Sequence, residues 1–177
     1  INGYGRIGQC VLRALYENGY RDKLQVVAIN ELSDIDTIAY LTRYDSTHGR
    51  FSGSVNVNNG RLCIKSGSRY SNAEYDREAH HDHIEVISQK SPEQLPWKAL
   101  DVDLVLECTG AFGDREGAEA HISAGADKVL FSQPADANVD KTIVYGINHE
   151  SLSKADRIVS NASCTTNCIV PVIKVLH

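Results

Sequence analysis

Near the start of the chain Ile7, Cys10, Val11, Ala14 and Leu15 recur at helical spacing, and Gly19 is placed to end the helix they predict. Leu24 to Ile29 follows as a short, nearly unbroken apolar run, the mark of a strand buried on both faces of a parallel sheet. Asp34 can cap a second helix that carries Ile35, Ile38, Ala39 and Leu41. Two alternating segments, 54–58 and 61–65, flank Asn59-Gly60, the strongest short-range hairpin signal. Ser66 to His83 is polar and aperiodic and predicts a surface excursion. Further strands are expected at Ile84 to Ile87, Asp103 to Glu107, Lys128 to Phe131, Thr142 to Ile147 and Arg157 to Val159. A helix is expected around Arg115 to Ala124 and another from Cys168 to Leu176. Strands alternating with helices predict an α/β fold with a doubly wound, mostly parallel sheet.

Composition narrows the function classes. At 177 residues the chain can form one domain, or one domain and the beginning of another. A net charge of −5 leaves no basic face for a nucleic acid, and no apolar stretch approaches membrane-spanning length. The five cysteines are odd in number, and four lie in apolar or periodic segments, which fits reduced thiols in the cytoplasm better than a disulfide framework. Cys10, Cys63, Cys108 and Cys168 read as small core residues. There is no methionine, and the chain starts at Ile1 beside a glycine loop. The expectation is a truncated first strand, a dinucleotide-binding domain over 1–160, and the start of a second domain at 161–177.

Gly3-Tyr4-Gly5-Arg6-Ile7-Gly8 matches G-x-G-x-x-G. The first glycine permits a tight turn, the second lets backbone approach a pyrophosphate, and the third lets helix pack on strand. Phosphates then sit on the open amides of a helix N-terminus. Glu31 closes the next strand 23 residues after Gly8, where a carboxylate binds the adenosine ribose hydroxyls and repels a 2′-phosphate. The cofactor read from this Rossmann-type pattern is NAD. Thr109, Gly110 and Ser132 follow two further strands, and ligands gather at the carboxyl ends of such strands.

The other chemical signal is Ser160-Asn161-Ala162-Ser163-Cys164-Thr165-Thr166-Asn167. A thiol at a helix N-terminus is favoured as thiolate, the nucleophilic form. With a nicotinamide site in the same chain, it predicts oxidation of an aldehyde through a thioester. Cys164 supplies the nucleophile, and Ser163 and Thr165 suit a phosphate or a tetrahedral oxygen. No base is evident. His80, His81 and His83, with Asp76, Glu78 and Asp82, read either as a solvated polar loop or as a metal cluster, and lack zinc-site spacing. No metal is assigned, and neither His48 nor His121 shows a partner.

These segments, together with Tyr44 to Phe51 and Cys108-Thr109-Gly110, resemble the glyceraldehyde-3-phosphate dehydrogenase superfamily over nearly the whole chain. The resemblance implies that Arg6 and Ile7 hold the pyrophosphate and Glu31 the ribose. It implies that Thr109, Gly110 and Ser132 line the NAD cleft and that Cys164 is the nucleophile, with Ser163 and Thr165 touching substrate. It also implies a catalytic histidine beyond His177, a phosphorylated aldehyde as substrate, and a cytoplasmic homotetramer when full length. Residues 28–32, 95–97, 132–134 and 142–148 are similar to a branch that oxidises erythrose 4-phosphate for pyridoxal phosphate synthesis; the glycolytic phosphorylating activity is the alternative. By itself the chain is expected to bind NAD without turnover. Two positions depart from the family: Lys90 stands where an arginine usually contacts NAD, and 66–83 resembles an insertion.

Overall fold

The computed structural model describes residues 1–65 and 81–176. The chain divides into two compact units, one of Ile1 and Gly3–Lys90, the other of Asn2 and Ser91–His177.

The first unit opens with helix α1 (Arg6–Glu17), strand β1 (Ala28–Asn30) and helix α2 (Ile35–Arg43). A short antiparallel pair, β2 (Tyr44–Asp45) and β3 (Gly49–Arg50), leads to β4 (Ser54–Asn58), β5 (Arg61–Lys65) and β6 (His81–Ile87). The main sheet runs β1-β6-β5-β4, with β1 and β6 parallel and the other pairs antiparallel. Asn59 and Gly60 both have positive φ (50° and 74°), the geometry a tight hairpin needs, so the turn lies where its dipeptide predicts. Asp34 caps α2 as expected, accepting from Thr37 N–H at 2.9 Å.

The buried face of α1 differs from the apolar stripe. Gly8, Gln9, Leu12, Arg13, Leu15 and Tyr16 are buried, whereas Ile7 is 52% exposed. Polar partners explain the rotation. Gln9 Nε2 donates to Tyr4 O, Arg13 Nη1 donates to Gly49 O, and Tyr16 OH donates to Asp82. Arg13 also lies over the Phe51 ring. Counting apolar positions misses buried residues that are satisfied by hydrogen bonds.

Two other expectations change in this unit. β1 is shorter than Leu24 to Ile29, because Lys23 and Leu24 N–H turn back to Tyr20 O, and β6 pairs only with Ala28–Asn30. Strand β6 starts at His81 rather than Ile84. Asp82 is buried, not solvated, because Arg21 and Tyr16 donate to its carboxylate. The rest of the predicted excursion, 66–80 with His80, Asp76 and Glu78, lies outside the described residues.

The second unit contains β7 (Leu104–Glu107), α3 (Arg115–Ser123), β8 (Lys128–Phe131), β9 (Lys141–Thr142), β10 (Ile158–Ser160) and α4 (Cys164–Leu176). Its sheet, β7-β8-β10-β9, is wholly parallel. Val105, Val129, Phe131 and Ile158 are buried on these strands, with Ala118 of α3. The fold is Rossmann-type α/β with a mostly parallel sheet. Of the expected 142–147 strand only Thr142 forms, as the last residue of β9. Asn148 Oδ1 accepts from Val144 N–H while its Nδ2 donates to Thr142 O, and Gly146 has φ 83°, so the chain turns instead. Helix α4 begins at Cys164, one turn before the expected Cys168. Cys168 is exposed, and Cys10, Cys63 and Cys108 are half-buried, so none of the four is the fully buried core residue expected.

Candidate functional site

The glycine loop belongs to the first unit. Gly3 has φ 84°, a conformation an L side chain rarely adopts. A Cβ on Gly8 would lie 2.3 Å from Gly3 O, so α1 sits directly on the loop backbone. A Cβ on Gly5 would meet nothing within 4 Å. Gly5 is also the N-cap of α1 and offers no side-chain acceptor to the opening N–H groups of the helix. An uncapped helix start with open space at its second glycine fits a pyrophosphate.

Glu31 follows β1 and is half-buried. Its Oε2 accepts from Tyr4 N–H at 2.8 Å, and its Oε1 accepts from Leu32 N–H at 2.7 Å. Ser33 N–H also donates to Oε1 at 3.3 Å, so the carboxylate sits against the glycine loop and the 32–33 backbone. Arg6 is turned to Asp45 and Thr47, and its guanidinium stays partly exposed. Backbone N–H donation from His48 and the Arg6 bond hold the Asp45 carboxyl well below the usual range against the opposing effect of burial. Lys90, just after β6, is exposed and has no hydrogen-bond or ion-pair partner among the described residues.

In the second unit one row of registered residues organises the site. Glu107 pairs with Phe131, Phe131 with Ser160, and Ser160 with Thr142, so β7, β8, β10 and β9 all end at one edge. Thr109 and Gly110 leave β7 there, Ser132 leaves β8, and the Cys164 turn leaves β10. The parallel sheet thus brings together segments that lie far apart in sequence, at the edge where α/β sheets bind ligands.

Thr109 is exposed, but its hydroxyl is committed: it donates to Glu107 Oε1 and accepts from Ala111 N–H at 3.0 Å. What this turn can offer a ligand is backbone, in part through Gly110 with φ 75°. Ser132 N–H donates to Glu107 O at 3.0 Å, and its hydroxyl bonds Cys108, whose thiol is pushed up chiefly by burial.

Cys164 is the first residue of α4, and its thiol is exposed. Ser163 Oγ accepts from Thr166 N–H at 2.9 Å and also bonds the hydroxyls of Thr165 and Thr166. Ser163 therefore acts as the helix cap, a use its spacing alone does not reveal. The turn is held from both sides: Ser160 Oγ donates to Gln133 O, and Asn167 Nδ2 donates to Asn161 O at 2.7 Å. Ala162 takes φ 56° within it. Among the described residues the Cys164 and Thr165 N–H groups meet no acceptor, and the thiol meets no histidine.

Sequence reasoning missed Glu107, His121, Trp97 and Asn2, which form one buried hydrogen-bonded group. The available signal was a carboxylate ending an otherwise apolar strand. Among the described residues, which include His81 and His83, no group of three or more His, Cys, Asp or Glu is placed to hold an ion. No helix among those residues is long and apolar enough to cross a membrane. Residues 1–115 match the family model of the glyceraldehyde 3-phosphate dehydrogenase NAD binding domain.

Proposed function

The chain belongs to the glyceraldehyde 3-phosphate dehydrogenase family, and from that premise we propose that it is the NAD-binding and nucleophile-bearing part of an enzyme that oxidises a phosphorylated aldehyde. NAD is the cofactor and the enzyme class is NAD-dependent oxidoreductase. The glycine loop and the opening amides of α1, including those of Arg6 and Ile7, hold the pyrophosphate. Glu31 takes the ribose, and the 109–110 turn and Ser132 line the remainder. NAD, when bound, supplies the hydride acceptor.

The observation that carries the aldehyde chemistry is the exposed Cys164 thiol at the first position of α4, beside two amides without acceptors. The sulfur adds to the aldehyde carbon, and its proton passes to a base. The Cys164 and Thr165 amides stabilise the oxygen that becomes negative. Loss of hydride leaves a thioester on Cys164, and water attacks its carbonyl to release the acid and restore the thiol.

We assign the base to a histidine outside residues 1–177, in a catalytic domain that 161–177 begins. Ser163 and Thr165 then serve substrate from their places in the cap. The branch resemblance favours D-erythrose-4-phosphate dehydrogenase, which forms 4-phosphoerythronate in vitamin B6 synthesis, as a cytoplasmic homotetramer. The test is turnover by the full-length chain with erythrose 4-phosphate and with glyceraldehyde 3-phosphate, each with and without inorganic phosphate. Phosphate-independent oxidation of the four-carbon substrate is expected. Phosphate-dependent turnover of the three-carbon substrate alone would establish the glycolytic alternative.

A further inference from the structure

Glu107 is a fully buried carboxylate at the end of β7, and it stands outside the chemistry above. Four donor groups from three residues meet it. Asn2 Nδ2 reaches Oε2 at 2.6 Å, and His121 Nε2 reaches the same oxygen at 3.1 Å. Thr109 N–H reaches Oε1 at 2.8 Å, and the Thr109 hydroxyl bonds the same oxygen. His121 is also fully buried, and Trp97 Nε1–H donates to its Nδ1 at 2.9 Å. That bond makes Nδ1 an acceptor. The single ring proton therefore sits on Nε2, and His121 is neutral and donates to Glu107.

We infer that Glu107 is a positioning residue for the cofactor. Its Oε2 is anchored by His121 and Asn2, and its Oε1 holds both donors of Thr109, which fixes the turn whose backbone faces NAD. Trp97 sets the tautomer that makes the anchor possible. The four donors require an ionised, acceptor-only group. A glutamine can turn its oxygen to one pair of donors only, and its own N–H₂ then confronts the other pair. The inference rests on the reading of 109–110 as part of the NAD site.

The test is calorimetric titration of NAD into the full-length chain, with steady-state kinetics alongside. Glu107→Gln is expected to weaken NAD binding about tenfold, the scale of leaving buried donors unpaired. KM for the aldehyde should stay unchanged, a split that a generally loosened fold does not produce. His121→Leu, which removes the anchor without touching the turn, should lower NAD affinity in the same direction. Thr109→Ala combined with Glu107→Gln should cost less than the product of the single losses. If Glu107→Gln fails to fold, His121→Leu carries the test. Folded variants that bind NAD as tightly as the parent, or fully multiplicative losses, overturn the inference. A parent chain that does not bind NAD instead removes the reading on which it stands.

Discussion

Two alanine substitutions in the glycine loop separate folding from cofactor binding. In Gly8→Ala the new methyl would lie 2.3 Å from Gly3 O and 3.3 Å from both Gly3 C and Ile1 Cγ2. The oxygen is backbone and cannot swing aside, so helix and loop must separate by about 1 Å to reach ordinary contact distance. Overpacking of this kind costs about 1–3 kcal/mol, while alanine in a helix gains about 1 kcal/mol over glycine. The steric cost prevails, and a net loss of up to about 2 kcal/mol is expected, with weaker NAD binding because the α1 amides move from the loop. Gly5→Ala is the counterpart. Its methyl meets nothing within 4 Å and its φ of −73° suits alanine. Losing glycine at the N-cap costs below about 1 kcal/mol. The methyl nevertheless fills the space assigned to the pyrophosphate. Urea denaturation measures the first effect, and NAD titration of the same samples measures the second. The reasoning fails if Gly8→Ala is as stable as the parent, or if Gly5→Ala binds NAD undiminished.

Three further outcomes follow from the same geometry. Cys164→Ser in the full-length enzyme should abolish aldehyde oxidation and leave NAD affinity within about twofold, since the thiol is exposed and makes no hydrogen bond among the described residues; retained turnover would displace Cys164 as nucleophile. Ala162→Gly should leave stability within about 1 kcal/mol of the parent, because relief of the left-handed strain at φ 56° offsets the added chain entropy and the loss of a buried methyl; a loss above about 2 kcal/mol in urea denaturation would contradict strain at this turn. Burial raises the Glu107 pKa, but hydrogen bonds from His121, Thr109 and Asn2 outweigh it and hold the carboxyl below its ordinary value of 4.5. The folded state then binds its proton less readily than the unfolded chain, so this contribution is present above that value and fades as pH falls through it. Urea midpoints measured from pH 7 to pH 3 should drop more steeply in the parent than in Glu107→Gln; parallel curves would refute the assignment.

Local chemistry explains which parts were legible. The hairpin, the α2 cap and strand β8 depend on neighbours along the chain, and each forms where its residues predict. Elements ended or extended by distant partners were not legible in the same way. Strand β1 is limited by β6, and the buried face of α1 is chosen in part by Gly49 and Asp82; the 142–147 run is diverted nearer at hand, by the side chain of Asn148. Asp82 looked solvated because its cation, Arg21, lies 61 residues away in sequence.

The candidate site divides in the same manner. Parts whose meaning is local can be read along the chain: the glycine spacing, Glu31 one strand later, and Cys164 among small polar residues. These are short-range geometric requirements of phosphate, ribose and carbonyl chemistry, and they suffice for the family and for NAD. Folding was needed to show that the Arg6 side chain pairs with Asp45, that Ser163 is a cap, and that Glu107, His121, Trp97 and Asn2 form one network behind Thr109. Those facts depend on parallel strands ending in register at one sheet edge, and on donors and acceptors that meet only when the chain has folded. A hydrogen-bond partner more than 100 residues away, as Glu107 is from Asn2, leaves no periodic trace in a single sequence.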